Sequence, residues 1–159
     1  MTSITPCLWF DKNAEEAATF YAGLFPDSRV DHVQRAPMDY PNGKAGDALL
    51  VEFTLCGRPF QGLNGGPGSP FTQAVSFSIA CEDQAEVDRY WEALTADGGE
   101  AVACGWSKDR FGLSWQVVPK RMLALLADPD RDRAQRAMEA MMGMVKLDVA
   151  ALERAADGG

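Results

Sequence analysis

Two glutamines close matching pentapeptides: Gln61 ends "GRPFQ" (57–61) and Gln116 ends "GLSWQ" (112–116). A buried amide must find hydrogen-bond partners or lose about 1–3 kcal/mol. Gln116 stands between Trp115 and Val117, where an isoleucine would be buried at no cost. It therefore satisfies a structural neighbour, faces a wet cavity or touches a ligand. Glu52 alternates with Val51 and Phe53. Pointing inward it would be a general base, pointing outward a solvated or paired carboxylate. Trp9 and Trp106 are either core aromatics or walls on which a planar ligand stacks. Lys108 and Asp109, in "SKDR" (107–110), read as solvated turn charges.

Nucleophilic and zinc chemistry have little to draw on. Cys7, Cys56, Cys81 and Cys104 lie far apart with no CxxC, and His32 is the sole imidazole, on a strand expected to be exposed. Neither a Cys–His pair nor a Ser–His–Asp triad can be assembled from this set. A structural zinc site needs about four closely spaced N or S ligands, which are missing. The cysteines read as small buried hydrophobes in a reducing compartment.

Periodicity defines the elements that must carry these residues. Residues 4–10 read as a strand with Thr5, Cys7 and Trp9 on one face and Ile4, Pro6 and Leu8 on the other. Helical spacing takes over in "NAEEAATFYAGLF", where Ala14, Ala17, Ala18, Tyr21 and Leu24 share a face, Asn13 is placed to cap, and Pro26 ends the run. "SRVDHVQRA" reads as an exposed strand and "PMDYPNGKAGD" as a loop. "ALLVEFTLCG" and "RPFQGL" form a hairpin turning near Gly57, and "NGGPGSP" a linker.

The pattern then restarts. Val75, Phe77 and Ile79 alternate with Ser76, Ser78 and Ala80. A helix comes next, with Asp83 as cap, Val87, Tyr90, Trp91 and Leu94 on its apolar stripe, and Gly98–Gly99 as its stop. "EAVAC", "SKDRF" and "LSWQVVP" supply further strands, with Ser114, Gln116 and Val118 on one side of the last. "NAEEAATFY" pairs with "QAEVDRYW", and Gly-x-x-aromatic-Gln recurs near the end of each half, which indicates an internal duplication. The organisation expected is one domain over residues 1–159, with halves 1–66 and 72–119 and a helical tail 120–159. In the tail, Asp128-Pro129 is placed to start a helix. A stripe of Ala134, Ala137, Met138, Met141, Met142 and Val145 is expected to be core or subunit interface.

Bulk properties narrow the partners. Hydrophobic residues at 47% and charged residues at 24% fit a soluble globular chain, with no run near the roughly 20 apolar residues of a membrane span. A net charge of −8 with scattered cations argues against nucleic acid. "MTSITPCLWF" lacks the basic start and small-residue cleavage site of a signal peptide, so a cytoplasmic location is expected.

Two βαβββ halves are the plan of the vicinal-oxygen-chelate superfamily of glyoxalases, ring-cleaving dioxygenases and antibiotic-resistance proteins. "ITPCLWFDKNAEEAATFYAGLFPDS", "CGWSKDRFGLSWQVVP" and "RAMEAMMGMVKLD" resemble its PhnB-like branch, often labelled demethylubiquinone methyltransferase-like, and the resemblance runs over essentially the whole chain. It implies an α+β fold of paired βαβββ modules with the helical tail added, and a homodimer. In metal-dependent relatives the first and last strands of each half supply His, Glu or Gln ligands to a metal that polarises substrate oxygens. Carried onto this chain, the last-strand positions fall on Gln61 and Gln116 and the first-strand positions near Thr5 and Ser76. By alternation Cys7, Trp9 and Ser78 share that surface.

Amides and hydroxyls without supporting carboxylates bind divalent ions weakly, so neither a tight metal nor a cofactor is expected. Methyl transfer from S-adenosylmethionine is not expected either. It normally uses a Gly-rich strand-to-helix turn, whereas "NGGPGS" leads into a strand. The function expected is a small-molecule-binding protein, or a metal-independent enzyme, using Thr5, Cys7, Trp9, Glu52, Gln61, Ser76, Trp106 and Gln116; whether it is catalytic is left open. The competing class is a metal-dependent enzyme of glyoxalase or dioxygenase type. A third is a dimeric interaction module whose cup is filled by its own aromatic side chains.

Overall fold

A computed structural model describes residues 1–159. The chain divides into two compact units, Met1–Pro70 and Phe71–Gly159. No helix is long and apolar enough to cross a membrane.

The first unit runs β1 (Cys7–Phe10), α1 (Ala14–Leu24), β2 (Arg29–Arg35), β3 (Ala48–Leu55) and β4 (Arg58–Asn64). Its sheet has the order β1-β4-β3-β2. β1 and β4 pair parallel, Cys7 opposite Gln61, while β3 pairs antiparallel with both neighbours. β1 is shorter than the expected 4–10, so Thr5 lies ahead of it, half-buried. α1 packs on one face only. Its buried Ala14, Ala17 and Ala18 let it come close, and a Cβ on Gly62 would sit 3.3 Å from that of Ala14. Tyr21 lies 6.5 Å from Phe53, centroid to centroid, over a floor of Leu8, Phe10, Val51 and Phe53.

The expected cap of α1 is corrected by the structure. Asn13 occupies the cap position, but its side chain makes no capping bond. Asn64, at the far end of the unit, does that work. Its Oδ1 accepts from Ala14 N at 2.9 Å and its Nδ2 donates to Ala48 O at 2.8 Å. One buried amide thus ties helix, β4 and β3 together. The β3–β4 hairpin turns on Cys56 and Gly57, both at positive φ (48° and 73°), as the twist of a two-residue hairpin requires.

The second unit repeats the plan with β5 (Ser76–Cys81), α2 (Gln84–Thr95), β6 (Glu100–Ala101), β7 (Trp106–Lys108) and β8 (Ser114–Pro119), in the order β5-β8-β7-β6. Ser78 pairs parallel with Gln116, as Cys7 does with Gln61. Asp83 caps α2 through Glu86 N at 2.9 Å, as its spacing predicts. Two expected strands are shorter than their sequence patterns. "EAVAC" keeps only Glu100–Ala101, and "SKDRF" gives way after Lys108 to a turn.

The tail folds as α3 (Lys120–Leu126), α4 (Arg131–Met142) and α5 (Val149–Asp157). α4 starts two residues later than Asp128 suggests, because Asp130 is the side chain that accepts from Asp132 N and Arg133 N. The pattern "RAQRAMEAMMGMVKLDVAALERAA" (133–156) reads as one helix in the sequence, but the helix breaks at Gly143. Val118, Met122, Leu125, Ala137, Leu147, Leu152 and Ala156 form the tail's core. Gln84 of α2 clamps it, donating to Leu147 O at 3.1 Å and accepting from Val149 N at 2.8 Å.

Replacing Asn64 with alanine strands a buried N–H and a partly buried C=O at once. Asn64→Ala should destabilise the protein by about 2–4 kcal/mol, read as a lower denaturant midpoint at unchanged m-value. Asn13→Ala, at the nominal cap, should cost a few tenths of that.

Candidate functional site

Each sheet has one face covered by its helix and one face turned away from it. In the first unit the pairing register sets a single row across the face away from α1: Cys7 on β1, Gln61 on β4, Glu52 on β3 and His32 on β2. Directly paired residues share a face, and neighbouring strands are about 5 Å apart. Gln61 is half-buried; Cys7, Glu52 and His32 are exposed. None of the four side chains makes a hydrogen bond or ion pair within the chain, so the amide, carboxylate and imidazole keep their full bonding capacity.

Trp9 lies on the same face, paired with Leu63. Its indole N–H donates to Gly66 O at 2.7 Å, and its ring occupies the place a Cβ on Gly65 would take, 2.2 Å from Cζ2. The "NGG" expected to be a linker is therefore a built support: Asn64 fixes the helix and the two glycines fix Trp9. The indole remains 38% exposed.

The second unit places Ser78, Gln116 and Trp106 in the equivalent row, with Ser76, Ser114 and Lys108 in the next. Gln116 Nε2 donates to Ser76 Oγ at 3.0 Å. That bond satisfies one end of the amide and leaves its carbonyl oxygen and the serine proton available. Trp106 borders a cavity of about 330 Å³ with Gln73, Val102, Ala103 and Cys104. On the opposite face Phe77, Trp115 and Val117 pack inward, the two rings 5.6 Å apart.

Asp109 is a correction. It is no solvated turn charge but a fully buried carboxylate. It accepts from Phe111 N (2.9 Å), Leu113 N (3.0 Å) and Trp115 Nε1 (2.8 Å), and so locks the turn into β8 that carries Gln116. The sequence held the signal: aspartate first and glycine fourth in "DRFG" is type I turn composition, and Gly112 N does bond Asp109 O at 2.9 Å. Sequence reasoning also misses His32 as a neighbour of Glu52, because a bulge between Val30 and His32 resets the register. Nothing in an exposed-looking strand announces that shift.

The thiols are not poised for attack. Burial raises the pKa of Cys7 and of Cys56, and pushes Cys81 up to about 11 with Glu86 adding to the effect. No three His, Cys, Asp or Glu side chains converge on a common point. The positions that the family resemblance marks as ligand positions, Thr5, Gln61, Ser76 and Gln116, offer only amides and hydroxyls. That set does not fit a tightly held divalent ion.

Paired βαβββ modules, each a four-stranded mixed sheet with its helix on one face, define a protein of the glyoxalase-like, vicinal-oxygen-chelate class. Among families, the model described as 3-demethylubiquinone-9 3-methyltransferase matches residues 2–118. The chain belongs to that PhnB-like family. Among solved structures it is similar to the PhnB protein of Bacillus cereus, itself assigned as a 3-demethylubiquinone-9 3-methyltransferase. The two share 31% identity over 74% of this chain and 99% of that one, at a TM-score of 0.67. A Pseudomonas aeruginosa protein, PA1353, shares the fold at 20% identity, covering 75% of this chain and 98% of its own, at a TM-score of 0.61. No curated protein matches significantly.

Gly65→Ala must push the Trp9 ring off its seat, so the variant should show altered tryptophan emission and greater quenching by acrylamide. Gly68→Ala, where a Cβ meets nothing, should leave the packing of Trp9 unchanged. Iodoacetamide at pH 8 should modify exposed Cys7 and Cys56 and leave Cys81 untouched until the protein unfolds, as peptide mass mapping would read.

Proposed function

We propose that this protein binds a small molecule without a metal, acting as a binding protein or a metal-independent enzyme, as a homodimer in the cytoplasm. The ligand surfaces are the sheet faces turned away from the helices: Thr5, Cys7, Trp9, Glu52 and Gln61 in the first unit, Ser76, Trp106 and Gln116 in the second. The observation that carries this reading is the pair of strand amides, Gln61 and Gln116, on the faces turned away from the helices, with Glu52 the one carboxylate beside them. Gln61 and Gln116 each keep an unused amide carbonyl, Gln61 between Cys7 and Glu52 and Gln116 between Ser78 and Trp106, and each face holds a tryptophan. Amides and indoles recognise a polar, planar, uncharged ligand by hydrogen bonds and stacking, without ion pairing. The cysteines are all free, consistent with a reducing compartment.

Methyl transfer, in the family's description, gains no support from the local structure. Neither strand-to-helix turn, Asp11–Asn13 or Glu82–Asp83, contains a glycine that would let a cofactor approach the backbone. The competing metal-dependent reading has one observation in its favour. Gln61, Glu52 and His32 are consecutive across β4, β3 and β2, so an amide oxygen, a carboxylate and an imidazole are neighbours.

Native mass spectrometry of gently purified protein, with and without added Mn²⁺, Ni²⁺ or Zn²⁺, separates the two. The neutral-site reading expects a dimer whose mass is unchanged by chelator, and a ligand affinity that Glu52→Gln alters by no more than about a few-fold. One metal per chain, removed only by chelator and lost in Glu52→Gln, would overturn it in favour of oxyanion chemistry.

A further inference from the structure

The first unit carries a loop that its duplicate lacks. Residues 36–47 join β2 to β3, whereas the equivalent β6 and β7 are joined through 102–105 alone. The module can therefore build its sheet without this loop. Long connections inside compact domains are usually either functional or disordered, and this one is held along its length. Ala36 N donates to Asp47 O and Gly46 N to Ala36 O, each at 2.8 Å. Asp39 accepts from Ala45 N and Lys44 Nζ, both at 3.0 Å, and Asp47 Oδ2 accepts from Lys44 N at 2.8 Å. Tyr40 and Gly43 exchange backbone hydrogen bonds, and the tyrosine ring lies where a Cβ on Gly43 would fall, 2.3 Å from Cζ. Only glycine at 43 lets the ring take that place.

The loop helps to wall a cavity of about 300 Å³ beside α1, lined by Lys12, Glu15, Arg35, Tyr40, Asp47 and Asn64. The cavity lies on the helix side of the sheet, because the Asn64 amide in its wall bonds Ala14 N. It is separate from the Cys7–Gln61–Glu52–His32 row on the opposite face. Asn64 is engaged at both ends of its amide, but other groups around the cavity are not. The Lys12 ammonium and the Tyr40 hydroxyl have no partner in the chain, and Arg35 meets only Glu15, at 3.4 Å. Asp47 keeps one carboxylate oxygen uncommitted. Lys12 stands at φ 68°, a left-handed conformation that favours glycine, so a lysine is kept there at a cost to the backbone.

We infer that this cavity binds a free α-amino acid, a small zwitterion, at a site distinct from the sheet faces. Size is the first reason: small-molecule pockets run from about 300 to 1,000 Å³, and this one stands at the lower end. Charge is the second. Two cations and two carboxylates line the same space, so a ligand of one sign meets repulsion as well as attraction. A ligand carrying both signs satisfies both. Lys12, Arg35 and the Tyr40 hydroxyl offer donors to its carboxylate, and Asp47 offers an acceptor to its ammonium. The inference does not depend on what the sheet faces bind.

Nitrogen-15 amide spectra of the full chain, titrated with each proteinogenic L-α-amino acid up to about 10 mM, test it. At least one should give saturable shifts centred on Lys12, Tyr40 and Asp47. Lys12→Gln, an exposed change, should weaken that binding at least about 10-fold, while Arg58→Gln, an exposed cation of the same unit outside the cavity, leaves it unchanged. Acetate, with the carboxylate alone, should bind at least about 10-fold more weakly than the amino acid. Should Lys12→Gln fail to fold, Tyr40→Phe, which removes only the hydroxyl, takes its place. No saturable shift from any amino acid overturns the inference. So do shifts centred away from the cavity, an affinity indifferent to the substitution, or acetate that binds equally well.

Discussion

The parallel pairing of first and last strand within each module is the constraint on which the rest depends. Two adjacent parallel strands cannot be joined by a hairpin; the chain must cross over one face, and here the helix after the first strand covers it. Cys7 against Gln61 and Ser78 against Gln116 are the two places where this happens. Because side chains alternate, fixing the helix on one face fixes which residues are left on the other. A slip of one residue in β8 would turn Gln116 into the core and Trp115 out of it. The core aromatics therefore hold the candidate ligand residues to their face as firmly as any direct contact.

Precision is added by a few buried polar groups at the ends of strands. Asn64 closes β4 onto the start of α1, and the glycines after it seat Trp9. Asp109 gathers two backbone amides and the Trp115 indole at the turn into β8. In both modules a polar residue at or beside the last strand organises the backbone, while the glutamine on the strand keeps bonding capacity free. Ser107 is a less complete solution, a buried hydroxyl with no partner in the row behind β8.

Much of this is legible in the sequence. The 2-residue and 3.6-residue periods locate the helices and most strands, and the Gly-x-x-aromatic-Gln repeat gives the duplication that the two equivalent strand orders display. Asp83, an Asx cap with local spacing, is legible too. The failures are non-local. Asn13 looks like a cap because propensity is local, but Asn64, 50 residues away, arrives by strand pairing. His32 meets Glu52 only through a bulge, and Asp109 is buried by contacts that charge alone argues against. Gly143 hides inside an apolar helical pattern, so two helices read as one.

Glutamine rather than a carboxylate at positions 61 and 116 has a physical consequence for the face it stands on. A carboxylate on a partly buried face needs a counter-charge, and without a metal its desolvation would be uncompensated. An amide of the same shape carries no such penalty. It donates to Ser76 and still offers an acceptor. The two glutamines can therefore keep their places with nothing bound, whereas carboxylates at the same half-buried positions would depend on a counter-ion.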